Sequence, residues 1–192
     1  MTLYPETQRK AQAEIERVVG PTRLPTLDDR ANLPYVDALL KEILRWNPVL
    51  PLGIPHVSTS DDIVEGYHIP KGAIIISNVW CEAFLLAQDR IHTYKFIRCF
   101  YREFMRDPET YHDPLEFKPE RFLGESPELD PHEIVFGFGR RICPGKQLAD
   151  STMFSTIAKS LAVFDISKAK DTCGNVIEPV REYSGGIIRY VC

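Results

Sequence analysis

Cys143 stands inside the segment Val135–Ala149, VFGFGRRICPGKQLA. Two arginines precede it, a Pro–Gly step follows it, and an apolar helical pattern begins just beyond. Pro144 suits a first helical position, which makes Cys143 roughly the cap of that helix. A helix N-terminus carries partial positive charge and unbonded N–H groups. A cysteine there favours the thiolate, the form that acts as nucleophile or metal ligand. Gly137 and Gly139 permit a tight bend just upstream, and Gly145 lets the backbone approach something large and flat. Arg140, Arg141 and Lys146 can stabilise a thiolate or pair with a ligand carboxylate. The competing reading of a lone thiol is a buried structural cysteine. The fixed order of glycines, arginines and Pro–Gly around Cys143 favours the ligand.

Two further groups can do chemistry or pin what does. In LLKEILRWNP, Glu42 and Arg45 stand at i and i+3 and share one helix face. Taken alone they make a surface ion pair of little worth. In GIPHVSTSDD, His56 lies in a proline-rich stretch and is either a ligand contact or a loop histidine in solvent. A thiol enzyme with Cys143 as nucleophile needs a nearby general base. His56 and His68 are far away in sequence, and no Cys–His–Asn order is present.

The elements that must position these residues follow from periodicity and breakers. Residues 5–19 read as a helix, with Pro5 in its first turn and Ala11, Ile15, Val18 and Val19 as its apolar stripe. Gly20–Pro21 ends it. Thr26 or Asp28 caps a short helical turn in TLDDRANLP. A stronger helix runs from Pro34 to about Trp46, with Val36, Leu39, Leu40 and Ile43 facing one way, and Asn47–Pro48 stops it. DIVEGYHIPKGAIIISNVW reads as short β pieces turning at Pro70–Lys71–Gly72. Residues 81–106 read as helical, and residues 107–131 as a polar loop studded with prolines. After Cys143 a helix spans about Lys146–Val163, with Leu148, Phe154, Ile157, Ala158 and Leu161 on one face. The tail from Phe164 reads as strands and a hairpin.

Composition narrows the function classes. The chain has 192 residues, 44% hydrophobic and 26% charged, which is ordinary for one globular domain. A net charge of −4 supplies no basic field for nucleic acid. No run of about 18 apolar residues spans a membrane, and MTLYPETQRK has no signal-peptide core. The five cysteines, Cys81, Cys99, Cys143, Cys173 and Cys192, are odd in number and lack a C-x-x-C pair. That argues against a disulfide framework or zinc cluster and for a reducing compartment.

FGFGRRICPG resembles the haem-binding loop of the cytochrome P450 monooxygenases, F-x-x-G-x-R-x-C-x-G, with Phe136, Gly139, Arg141, Cys143 and Gly145 filling the pattern. The resemblance implies that Cys143 is the axial thiolate ligand of haem b iron. It also implies that Arg141 and His56 meet haem propionates, that Gly145 passes close to the porphyrin, and that Phe136 packs beside the loop. Glu42 and Arg45 resemble the family's E-x-x-R, whose partner arginine is Arg121 in the Pro119–Phe122 segment PERF. The three are expected to form a buried triad beneath the loop. The resemblance is nearest to fungal microsomal members and covers nearly the whole chain in order. It implies a mainly α fold with small β-sheets, the C-terminal and incomplete part of the P450 fold, as a single partial domain over residues 1–192.

The function so implied is insertion of one oxygen atom from O₂ into an apolar small-molecule substrate. Electrons would come from NADPH through a flavoprotein reductase docking near Arg140, Arg141 and Lys146. The parent would sit at the endoplasmic reticulum membrane through an N-terminal anchor, facing the cytoplasm. That anchor and the distal acid/alcohol helix are expected to be missing here, which leaves no catalytic residue within the chain. A non-catalytic remnant with weak or no haem binding is therefore the alternative. Residues Ser184 to Ile187 resemble a substrate-touching hairpin tip. In the family pattern N-x-W reaches R-D-P within a few residues, whereas 25 residues separate Trp80 from Arg106 here. Residues 81–101 are thus an insertion, read as a translated intron or as a genuine surface helix.

Overall fold

The first helix, α1 (Pro5–Val19), buries Ala11, Ile15 and Val19. In the computed structural model, residues 1–50, 53–77, 79, 96–98 and 104–179 are described. Glu14 shares the buried face of α1, and its carboxylate accepts hydrogen bonds from the backbone N–H of Tyr35 (3.1 Å) and Val36 (3.0 Å). These are among the first N–H groups of α2 (Pro34–Trp46), which have no partner within their own helix. A carboxylate there satisfies them and meets the positive end of the helix dipole. Between the helices, a 3₁₀ segment (Leu27–Asn32) is capped by Thr26, whose N–H and hydroxyl both donate to the Asp29 carboxylate.

α2 is the centre of the molecule, with a core on either side. On one side Val36, Leu39, Leu40 and Leu44 pack with α1 and with Phe154, Ala158 and Leu161 of α4 (Lys146–Val163). On the other, Ala38 packs with Val79, Met105, Tyr111, Phe122 and Ile134. The predicted stripe is corrected at one position: Ile43 is 36% exposed and Leu44 is buried. Ile43 points nearly the same way as Val36 but about two turns further on. Periodicity gives a direction, not how far neighbouring helices extend. Leu148 is a second correction, 74% exposed rather than on the buried face of α4. Six residues turn a helix by about 600°, which leaves Leu148 roughly 120° away from Phe154.

Among the described residues, five short strands form two sheets. β1 (His56–Val57) pairs antiparallel with β4 (Ile74–Ile76), setting His56 opposite Ile75. β2 (Asp62–Val64) and β3 (Tyr67–Ile69) make a hairpin with Asp62 opposite Ile69. Its turn residues Glu65 and Gly66 have φ of 50° and 83°, the two successive left-handed conformations that suit the twist of a two-residue hairpin. β5 (Phe96–Arg98) adds to β4 in parallel, Ile75 opposite Ile97. This corrects the helical reading of 81–106: residues 96–98 are strand, and Phe104–Arg106 form a turn. The rest of 81–101 lies outside the described residues, as does the Ser184–Ile187 tip. Within 164–179 the expected strands reduce to one antiparallel bridge between Lys170 and Val176.

Candidate functional site

The Cys143 loop runs from α3 (His132–Val135) through a 3₁₀ turn (Gly139–Arg141) to the start of α4. The Cys143 N–H donates to the Phe136 carbonyl at 2.8 Å and closes the loop on itself. Inside it, Gly137 N–H bonds the Ile134 carbonyl (3.1 Å) and Ile142 N–H bonds Gly139 (3.2 Å). Gly139 has φ of 56°, a conformation that costs a side-chain-bearing residue strain. Cys143 is a free, exposed thiol, as are the flanking Phe138, Arg140, Arg141 and Ile142 in exposure. Phe136 is half-buried, and the Lys146 ammonium lies 6.0 Å from its ring centre.

One detail of the sequence reading is corrected. The cap of α4 is Gly145 and its first residue is Lys146, so Cys143 stands two residues before the cap and Pro144 is outside the helix. The loop, not the cap position, presents the thiol, and dipole support falls off within the first turn. Among the described residues, a side chain built at Gly145 would meet only the Cys143 Sγ, at 3.8 Å. A soft thiol beside exposed apolar and cationic side chains suits a flat apolar group that carries a metal and carboxylates. The donor set therefore fits haem.

A buried charged group lies on α2 and the PERF segment. Glu42 and Arg45 are fully buried, and Arg121 is 7% exposed. Arg45 grips Glu42 by two bonds of 2.7 and 2.8 Å and donates to the carbonyls of Met105 (2.8 Å), Pro114 (3.0 Å) and Glu116 (3.2 Å). Glu42 also accepts from the Lys118 N–H at 2.7 Å. Arg121 donates to the His112 carbonyl and to Glu128, and its Nε lies 3.2 Å from Glu42. That last contact is an ion pair without hydrogen-bond alignment, because Arg121 Nε has no bonded acceptor. The structure thus brings Glu42, Arg45 and Arg121 together, all tied to the 105–128 loop. His56 sits exposed on β1, an element apart from the Cys143 loop.

A second charged cluster was not legible in the sequence. His132 is 8% exposed and its ring lies between two carboxylates: Nδ1 is 2.7 Å from Asp130 and Nε2 is 2.9 Å from Asp150. Asp150 pairs with Arg30, Arg30 with Asp37 (2.6 Å), Asp37 with Lys41 (3.5 Å), and Lys41 with Asp130 (3.0 Å). The six groups form a closed ring joining the 3₁₀ segment, α2, the start of α3 and α4. Burial acts to raise the Asp130 carboxyl, but bonds from the His132 ring and N–H and from Lys41 outweigh it and hold it well below the usual carboxylate range. Asp150 is likewise lowered, burial opposing and Arg30 prevailing. An open cleft of ≈ 740 Å³ is lined by all six groups of the ring and by Lys146. Only the spacing of Asp37 and Lys41 at i and i+4 signals the ring in advance; its other members are brought together by the fold.

The fold and the thiol loop define a class. The cytochrome P450 family model matches residues 1–82 and 99–181, and the chain belongs to that family. Its structure is part of the P450 fold, mainly α with small sheets. It is 54% identical over 193 residues to a cytochrome P450 monooxygenase of Ampulloclitocybe clavipes, an overlap covering 99% of this chain and 32% of that protein. A Postia placenta cytochrome P450 monooxygenase is 52% identical over 99% of this chain and 33% of its own length. An O-methylsterigmatocystin oxidoreductase of Aspergillus flavus is 46% identical over 87% of this chain and 28% of its own length. The chain spans about a third of the length of the curated relatives it matches. Among the described residues no helix is long and apolar enough to cross a membrane.

Proposed function

We propose that this chain is the thiolate-bearing part of a haem monooxygenase that inserts one atom of O₂ into an apolar organic substrate. The observation that carries it is the exposed Cys143 thiol on a loop closed by its own N–H to Phe136, beside the cationic Arg140 and Arg141. In this reading Cys143 ligates the iron of haem b, Arg141 and His56 hold the propionates, and Phe136 packs beside the loop. Gly139 shapes the bend and Gly145 leaves room for the porphyrin. Haem ligated by thiolate supplies the oxygen chemistry when bound. The chain's own residues place and orient it. Glu42, Arg45 and Arg121 hold the 105–128 loop as a platform.

Electrons come from NADPH through a flavoprotein reductase, with Arg140 and Lys146 available to an acidic docking surface. The whole protein works at the endoplasmic reticulum membrane. Residues 81–101 are an insertion, a reading supported by the gap from 83 to 98 in the family match. Transcripts running directly from the Trp80 region to Phe104 support its origin as a translated intron, and abundant peptides containing IHTYKFIR overturn that origin.

The test is a ferrous–CO difference spectrum of the purified chain supplied with haemin. A thiolate-type Soret band is expected, and Cys143→Ala abolishes it. Survival of the band in that variant overturns the ligand assignment. A wild-type chain that takes up no haem identifies a non-catalytic remnant.

A further inference from the structure

The bond between His132 and Asp150 joins the two ends of the Cys143 loop. His132 opens α3 and Asp150 lies in the second turn of α4, so the residues between them are the whole segment that presents the thiol. The His132 ring also stacks on Phe136, with centroids 5.7 Å apart and planes 16° from parallel. The Phe136 carbonyl in turn accepts the Cys143 N–H. Ring, aromatic neighbour and thiol backbone are thus one continuous set of contacts. We propose that His132 is a positioning residue that sets the Cys143 loop, by bridging Asp130 and Asp150 while its ring seats Phe136. This rests on the reading of Cys143 as haem ligand.

The chemistry asks for a particular side chain. Both ring nitrogens face carboxylate oxygens, and both contacts are hydrogen bonds only when both nitrogens carry a proton. Bonds of that kind, cation to carboxylate, are the strong ones. The carboxylates are themselves held: Asp150 by Arg30, and Asp130 by Lys41, with Asp37 between those two cations. Neither acceptor is free to follow a displaced ring. A neutral amide at 132 can donate from one end only. A guanidinium is planar, charged and able to donate to two carboxylates.

Hydrogen exchange of the haem-free full chain reads the loop directly. His132→Gln is expected to speed exchange of the 136–143 amides about tenfold while leaving α1 unchanged, and His132→Arg to restore it. Asp150→Asn, which keeps an acceptor but loses the charge, speeds the same amides less and decides the matter if His132→Gln does not fold. In the haemin-loaded chain, His132→Gln shifts the ferrous–CO spectrum from the thiolate type toward the neutral-thiol type, and His132→Arg reverses the shift. Unchanged loop exchange, an equal rise in α1, or failure of the arginine variant to restore the loop overturns the positioning role. Absence of a thiolate-type band in the wild type overturns the haem reading instead, and the exchange of the haem-free chain then decides the clasp.

Discussion

Glu42 has no exposure to water and carries a negative charge, so its place in the core depends on the cations around it. Arg45 supplies two bonds, the Lys118 N–H a third, and the Arg121 guanidinium an ion pair. Replacing a buried pair by apolar groups can be neutral, but removing one partner strands the other. Arg45→Ala leaves Glu42 without its strongest donor, the Met105 and Pro114 carbonyls without theirs, and the Glu116 carbonyl with Arg121 alone. It is expected to destabilise the chain by roughly 3–5 kcal/mol, read as a lower urea midpoint with an unchanged slope. Arg45→Lys recovers little, because a single ammonium cannot fork onto Glu42 and also reach Met105, Pro114 and Glu116. A midpoint for Arg45→Lys equal to that of the wild type would contradict this account. The i, i+3 spacing of Glu42 and Arg45 was plain in the sequence. The carbonyl acceptors were not, because the 105–118 loop has no period from which a facing backbone atom can be read.

The helices were legible because proline and periodicity mark them. Pro5 and Pro34 open α1 and α2, and Phe154, Ala158 and Leu161 recur at helical spacing on α4. What joins the helices was hidden. Glu14 meets the start of α2 from about 20 residues away, and nothing local distinguishes it from the other glutamates of α1. The same limit explains β5, whose parallel pairing with β4 is a long-range choice, and the start of α4, where Pro144 suggested a first turn that begins instead at Lys146. Glu14→Ala removes the acceptor for two helix N–H groups and a charge at the positive end of α2. The expected cost is about 1–2 kcal/mol, the size of a lost cap. Faster hydrogen exchange at Tyr35 and Val36, with the C-terminal half of α2 unaffected, is the signature. Uniform loosening of α2 would mean that Glu14 matters through packing instead.

Across the whole molecule, stability responds to pH through the groups that folding shifts. Asp130, Asp150, Glu120 and Glu128 all titrate below their usual values of 3.8 and 4.5. In each, burial works against the charged form, and bonds from His132 and Lys41, from Arg30, from Lys10, and from Arg121 outweigh it. A carboxyl lowered by folding stabilises the folded state fully above its unfolded value, and that contribution is lost as pH falls through the folded value. Tyr35 and Tyr111 are raised above 10.0, chiefly by burial. A phenol raised by folding stabilises the folded state below its unfolded value, and the contribution is lost as pH rises through the folded one. From these groups, stability is expected to be flat between about pH 5 and pH 9 and to fall on both sides. The acid limb should be the steeper, because the four carboxylates tie separate segments together: α1 to the PERF segment, the PERF segment to the loop that follows it, α2 to the loop before α3, and the 3₁₀ segment to α4. Asp150→Asn removes one of these carboxylates, so it should lower the midpoint at pH 7 and flatten the acid limb in the same measurement. Thermal unfolding followed from pH 3 to pH 10 checks both, and an acid limb as steep in Asp150→Asn as in the wild type would show that the six-membered charge ring contributes little to holding α4 in place.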